Sequence, residues 1–313
     1  MASPGFRACH PTVGNVRRGT AGRRRTLEST RLQSSMGISG RMAGNDLRSG
    51  HAPRVDEFVR SSDGTRVGFT RLGSGPALVV VHGSLSTRED WLTVASLLAD
   101  HFTCYVMDRR GRGLSGDAPD YAIERECDDI TAVLVAAGRA ANLLAHSFGA
   151  ICALETAMRV VVPHLILYEP PLPVGGRVAG EHLGEYRAAV ATGRLDEALE
   201  IGLTRFVGLS AGQIAGMRTA PIWPQLRSRT PTWTREVEAI DGLSSSVDRY
   251  SALTSSTLLL VGSESAKHLR DATAALSQVL QHGHVTTLVG QGHMAGRLAP
   301  ELVARAVTAF LRQ

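Results

Sequence analysis

The chain has 313 residues, of which 43% are hydrophobic, enough for a sizeable core in one large domain with an insertion or in two average ones. Its formal charge of +5 sits at its start: residues 1–50 carry nine Arg against Glu28 and Asp46, and the remainder holds 25 basic and 27 acidic residues, which excludes a nucleic-acid surface on the body. No apolar run reaches the roughly 18–20 residues of a membrane span, and Cys9, Cys104, Cys127 and Cys152 show neither metal-ligand spacing nor a paired framework, so a body off the membrane with reduced thiols is expected.

Residues 1–54 have no periodic apolar pattern and are predicted to be a disordered, Arg-rich leader. Their composition matches an organelle transit peptide, while the lack of an apolar segment argues against secretion. With Lys267 the only lysine beside 33 Arg, a coding start at Met36 or Met42 fits better than a transit peptide, and the body is expected to be cytoplasmic. From Val55 the pattern reads as a hairpin, Val55–Arg60 and Thr65–Arg71 around Asp63-Gly64. Ala77–Val81 is a continuous apolar run, the signature of a parallel strand covered on both faces, and it leads into His82-Gly83-Ser84.

A helix over Arg88–Asp100, a strand over Thr103–Met107, a helix over Ile130–Ala137 and a strand over Asn142–Ala145 continue the alternation, which predicts a right-handed, doubly wound, mostly parallel sheet. After a strand at His164–Tyr168 the alternation stops. Helical patterns at Glu181–Ala191, Leu195–Val207 and Ala211–Met217, then a Pro- and Trp-bearing connector, predict a helical lid over 171–256; among Tyr186, Phe206, Ile222, Trp223 and Trp233, about a third should face a pocket. Thr257–Val261 restores the sheet, and a helix over Leu269–Leu280, a strand over Val285–Val289 and a helix over Glu301–Leu311 close a core assigned to 55–170 and 257–313.

The stretch Leu143-Leu144-Ala145-His146-Ser147-Phe148-Gly149-Ala150 carries the chemistry. A strand runs into Ser147, turns and continues as a helix, with small residues two before and two after the serine where neighbouring chain must pass close. Such a turn lifts a hydroxyl from the carboxyl end of a strand to the N-terminus of a helix, whose N–H groups face the same spot. Together with His82-Gly83-Ser84, Asp108-Arg109-Arg110-Gly111-Arg112-Gly113 and Gly290-Gln291-Gly292-His293, in this order, the chain from Val55 to Gln313 resembles the α/β-hydrolase superfamily.

The resemblance implies Ser147 as nucleophile, His293 as its base, and an oxyanion hole from the N–H groups of Ser84 and Phe148. His146 and His82 read as packing and backbone support, and His282 and His284 as loop residues without a third metal ligand. The acid has two candidate positions. Many relatives place it three residues after the glycine that ends the penultimate strand, where this chain has Ser265, so Glu264 is one candidate; the other is Glu169, after the preceding strand and before Pro170-Pro171, which predicts an extended backbone there. Both follow neighbouring strands at their carboxyl ends, where open α/β sheets bind ligands.

The Gly-x-Gly of Gly111 and Gly113 does not open a helix, so no dinucleotide site, cofactor or metal is expected. The implied activity is hydrolysis of a small or medium ester, thioester or lactone through an acyl-enzyme. C–C bond hydrolysis and cofactor-free perhydrolysis use the same constellation, and a ligand-binding or receptor protein on this fold is the rival from another class. Ser147 argues against epoxide hydrolases and haloalkane dehalogenases, which use an Asp nucleophile. The expected partner is a small-molecule substrate, with neither nucleic acid nor membrane.

Overall fold

The computed structural model describes residues 53–313 other than residue 139; all but the last two residues of the predicted leader lie outside them. One eight-stranded sheet organises the chain: β1 (Val55–Arg60), β2 (Arg66–Leu72), β3 (Ala77–Val81), β4 (Thr103–Met107), β5 (Asn142–His146), β6 (His164–Tyr168), β7 (Ser256–Gly262) and β8 (Gly283–Leu288) lie in the order β1-β2-β4-β3-β5-β6-β7-β8. The β1–β2 and β2–β4 pairs are antiparallel, and every later pair is parallel. β3 lies between β4 and β5, so the chain reverses its direction across the sheet there. That reversal opens a crevice at the carboxyl ends of β3 and β5, the place where ligands sit on open α/β sheets.

The apolar runs of the central strands are buried because helices cover both faces. On one face α2 (Ile123–Ala137), α3 (Phe148–Ala157) and α9 (Lys267–Val279) close a core around Val79, Leu143, Leu165 and Leu259. On the other, α1 (Leu92–Leu98), α10 (Ala295–Leu298) and α11 (Pro300–Leu311) pack on Leu78, Val80, Leu144 and Ile166. Cys104, Cys127 and Cys152 are buried free thiols, as their spacing predicts, whereas Cys9 lies outside the described residues.

Between β6 and β7 comes a helical insertion: α4 (His182–Ala191), α5 (Leu195–Ile201) running into a π-helical turn at Gly202–Val207, α6 (Ala211–Arg218), α7 (Trp223–Ser228) and α8 (Thr230–Asp241). It has its own core, in which the rings of Tyr186, Phe206 and Trp233 meet edge to face at 5.2–5.8 Å. The predicted connector after α6 is instead α7 and α8. Their prolines, Pro224 and Pro231, occupy the first turn, where a missing N–H costs no helical hydrogen bond. α8 buries Trp233 and Val237 in the insertion and Ile240 against the sheet, and Val247, Tyr250 and Leu253 also join the sheet-side core.

Candidate active site

Ser147 alone separates β5 from α3, with φ 55° and ψ −127°. A non-glycine residue there stores about 1–3 kcal/mol of strain, which the surroundings must over-determine. They do so through the Ser147 N–H donated to Tyr168 O at 2.9 Å and the Ala150 N–H donated to Ser147 O at 2.8 Å. Gly149 is required, because a Cβ there would lie 2.3 Å from the His82 carbonyl oxygen. A Cβ on Gly83 would likewise lie 2.8 Å from the Ser147 Cβ, so the loop after β3 passes directly over the elbow.

Only three non-glycine described residues have positive φ: Ser147, Leu85 at 56° and Glu169 at 49°. All three are at this site. Glu169 is thus left-handed rather than extended, against the expectation from the following proline, and its N–H still continues the sheet to Leu260 O at 3.2 Å. Its carboxylate is fully buried and tightly held: Oε1 accepts from the Gly262 N–H at 2.7 Å and from the Ser265 hydroxyl, and Oε2 lies 2.6 Å from His293 Nδ1. Glu264 is exposed, one residue before Ser265. The structure therefore brings Glu169 to His293 and not Glu264. Ser265, at the position where many relatives carry the acid, instead donates to the carboxylate that stands one strand over.

Two further groups fix the histidine loop. The Tyr168 hydroxyl donates to Gly292 O and accepts from the Ala295 N–H at 3.2 Å, clasping His293 on both sides. His146 Nε2 lies 2.9 Å from His293 O, and because a carbonyl only accepts, Nε2 carries the proton. Its ring stacks between Trp91, Tyr168 and His293 at 5.5, 4.9 and 4.4 Å, and burial first, then His293, pushes its pKa well below the usual value. His146 is neutral packing, as read from the sequence. His82 is also buried and neutral: Nδ1 donates to Gly83 O at 2.8 Å while Nε2 accepts from the Arg109 N–H at 3.1 Å.

In the turn after β4 the charged side chains of Asp108, Arg109, Arg110 and Arg112 are buried. Asp108 accepts from the Arg88 and Leu114 N–H groups, both at 2.8 Å, and a Cβ on Gly113 would lie 2.1 Å from its Oδ2. Arg109 is fully enclosed between Glu126 and Glu236, each at 2.8 Å, and also donates to Gly83 O at 3.2 Å. Arg112 reaches Glu236 at 2.9 Å. Burial works to raise the Glu236 pKa, but Arg109 and Arg112, with the Ser84 hydroxyl beside it, outweigh that and hold it below the ordinary range. Glu236, on α8, thereby ties the insertion to the loop beneath Ser84.

Ser147, His293 and Ser84 line one cavity of about 110 Å³, closed over by the insertion through Phe206 and Trp233. Of the five aromatic and apolar insertion residues singled out in the sequence these two face it, whereas Tyr186, Ile222 and Trp223 do not line it. The Tyr186 hydroxyl instead donates to Thr230 O at 2.6 Å and Trp223 Nε1 to Asp196 at 2.6 Å, inside the insertion. Phe148 is the first residue of α3, so its N–H belongs to the unpaired turn that faces the elbow.

The profile of the "Alpha/beta hydrolase family" matches residues 78–306. Over 125 residues the chain is 38% identical to N-formylmaleamate deformylase of Pseudomonas putida, a match that spans 38% of this chain and 47% of that protein. It is 28% identical to 2-(acetamidomethylene)succinate hydrolase of Mesorhizobium japonicum over 250 residues, 76% of this chain and 89% of that one. Among solved structures, an alpha/beta hydrolase from Sphaerobacter thermophilus superposes with a TM-score of 0.74 at 34% identity, covering 82% of this chain and all of the other.

Proposed function

The chain belongs to the alpha/beta hydrolase family, and from that premise we propose that it is a serine hydrolase that cleaves a small acyl ester or amide through an acyl-enzyme. The observation that carries this reading is the 2.6 Å pair of Glu169 and His293, whose ring lines the same cavity as Ser147. A ring nitrogen so close to a buried carboxylate carries a proton, which leaves Nε2 with the lone pair of a general base.

In the proposed reaction Nε2 takes the Ser147 proton as Oγ attacks the substrate carbonyl. The developing oxyanion is received by the N–H groups of Ser84 and Phe148, and the imidazolium returns its proton to the leaving oxygen or nitrogen. Water repeats the sequence on the acyl-enzyme. Glu169, against Nδ1, holds the ring in one tautomer. The sequence reading favours an ester, thioester or lactone. The names of the two curated relatives, for N-acyl compounds that carry carboxylates, favour an amide. The insertion acts as the lid that excludes water from the acyl-enzyme.

The test is labelling of the purified protein with a fluorophosphonate, followed by peptide mass spectrometry. Modification at Ser147 that is lost in Ser147→Ala and His293→Ala, with turnover of short p-nitrophenyl esters and N-acyl amides, is the expected result. A folded protein that is neither labelled nor active on any of them, yet binds a small ligand, would move the assignment to the binding or receptor class.

A further inference from the structure

A second cavity, of about 400 Å³, adjoins the first: Val178, Phe206 and His268 line both. Its character is different. The first is walled mainly by apolar side chains, whereas the second adds Arg177, Arg205, Lys267 and Asp271. Asp271 is already matched by Lys267 at 2.6 Å. Among the described residues no carboxylate pairs with Arg177 or Arg205, so the cavity carries two uncompensated guanidinium groups. On the shared wall His268 is half-buried, and its pKa is held below the ordinary imidazole value chiefly by burial, with the Phe206 backbone beside it. The arginine that lines the first cavity, Arg297, is not equivalent, because it faces Asp90 at 3.5 Å.

We propose that this basic annex is the subsite for a substrate carboxylate, held by Arg177 and Arg205. The inference rests on the serine-hydrolase reading only for what happens at the other end of the substrate. It narrows the substrate class to short acyl compounds with a carboxylate a few atoms from the reacting carbonyl. Guanidinium groups suit this task because their fixed fork meets a carboxylate with two parallel hydrogen bonds. Both arginines are on the exposed rim, so their joint effect is moderate and sensitive to salt.

The test is a calorimetric titration of the full chain with glutarate and with pentanoate, which differ in one terminal carboxylate. It is repeated on Arg177→Gln/Arg205→Gln, whose folding is checked by circular dichroism, with glutarate competition against p-nitrophenyl acetate as the link to Ser147. Glutarate should bind about tenfold more tightly than pentanoate, compete with the ester, and lose its advantage in the double variant. Equal affinities for the two acids, or a preference that survives the double variant, overturns the subsite. Because binding is read without turnover, absence of fluorophosphonate labelling at Ser147 would sink the hydrolase reading alone and leave the titration to decide the annex.

Discussion

Three non-glycine residues with positive φ, among the described residues, mark where strain is stored, and each has a distinct task at one crevice. Ser147 lifts its hydroxyl off the end of β5, Leu85 turns the loop over the elbow, and Glu169 swings its carboxylate to the histidine loop. The two glutamates follow adjacent strands but differ in surroundings: Glu169 is buried on three partners and Glu264 is exposed. Glu169→Gln keeps the shape but stabilises the wrong His293 tautomer, so kcat should fall by about 10²–10⁴ while KM changes little. Glu264→Gln should stay within about a factor of two. Steady-state kinetics on one p-nitrophenyl ester compares them, and the reverse ranking would reassign the acid. Ser265→Ala, which removes one of the donors to Glu169, should cost about tenfold in kcat, restored largely by Ser265→Thr.

At the scale of elements, the elbow and the insertion are each tied to the loop after β3. The close pass of α3 beneath His82 makes Gly149→Ala an overpacking change of about 1–3 kcal/mol, with a matching loss of turnover because the same loop supplies the Ser84 N–H. Urea unfolding and kinetics on the one variant would separate the two effects. α8 is tied through charge: Glu236 is enclosed with Arg109 and Arg112. Glu236→Gln leaves two buried cations short of a counter-charge and should destabilise by about 3–5 kcal/mol, whereas Glu236→Gln combined with Arg112→Met should recover part of that loss. Full additivity of the two changes in denaturant melts would show that the network does not act as a unit.

At the scale of the whole molecule, two neutral histidines beneath the site couple folding to pH. His82 and His146 have pKa values well below their ordinary 6.5, chiefly through burial, so the unfolded chain binds their protons first on acidification. The stability that this supplies is complete above about pH 6.5 and is lost as pH falls below it, at up to about 1.4 kcal/mol per pH unit for each histidine. Glu236, held below its ordinary range, adds loss of the same sign at lower pH. The thermal midpoint should therefore drop steeply between pH 7 and 5, less so in His146→Phe; a flat profile would mean that these rings bind protons equally in the folded and unfolded chain.

The sheet and the strand–turn–helix at Ser147 were legible in the sequence, because strands covered on both faces must be continuous apolar runs and such a tight turn needs small residues two before and two after it. The partner of His293 was not legible: Glu169 and Glu264 both follow neighbouring strands at their carboxyl ends, and 124 residues separate Glu169 from the ring it meets. Choosing between them depended on where β6 and β7 end relative to the loop after β8, which strand pairing decides and local sequence does not. α7 and α8 were hidden because proline reads as a breaker unless its place in the first turn is known. Only the tertiary structure buried Arg109 between two glutamates 110 residues apart and set two unpaired arginines beside the cavity of Ser147, since burial and pairing of charge are properties of surroundings that the chain acquires on folding.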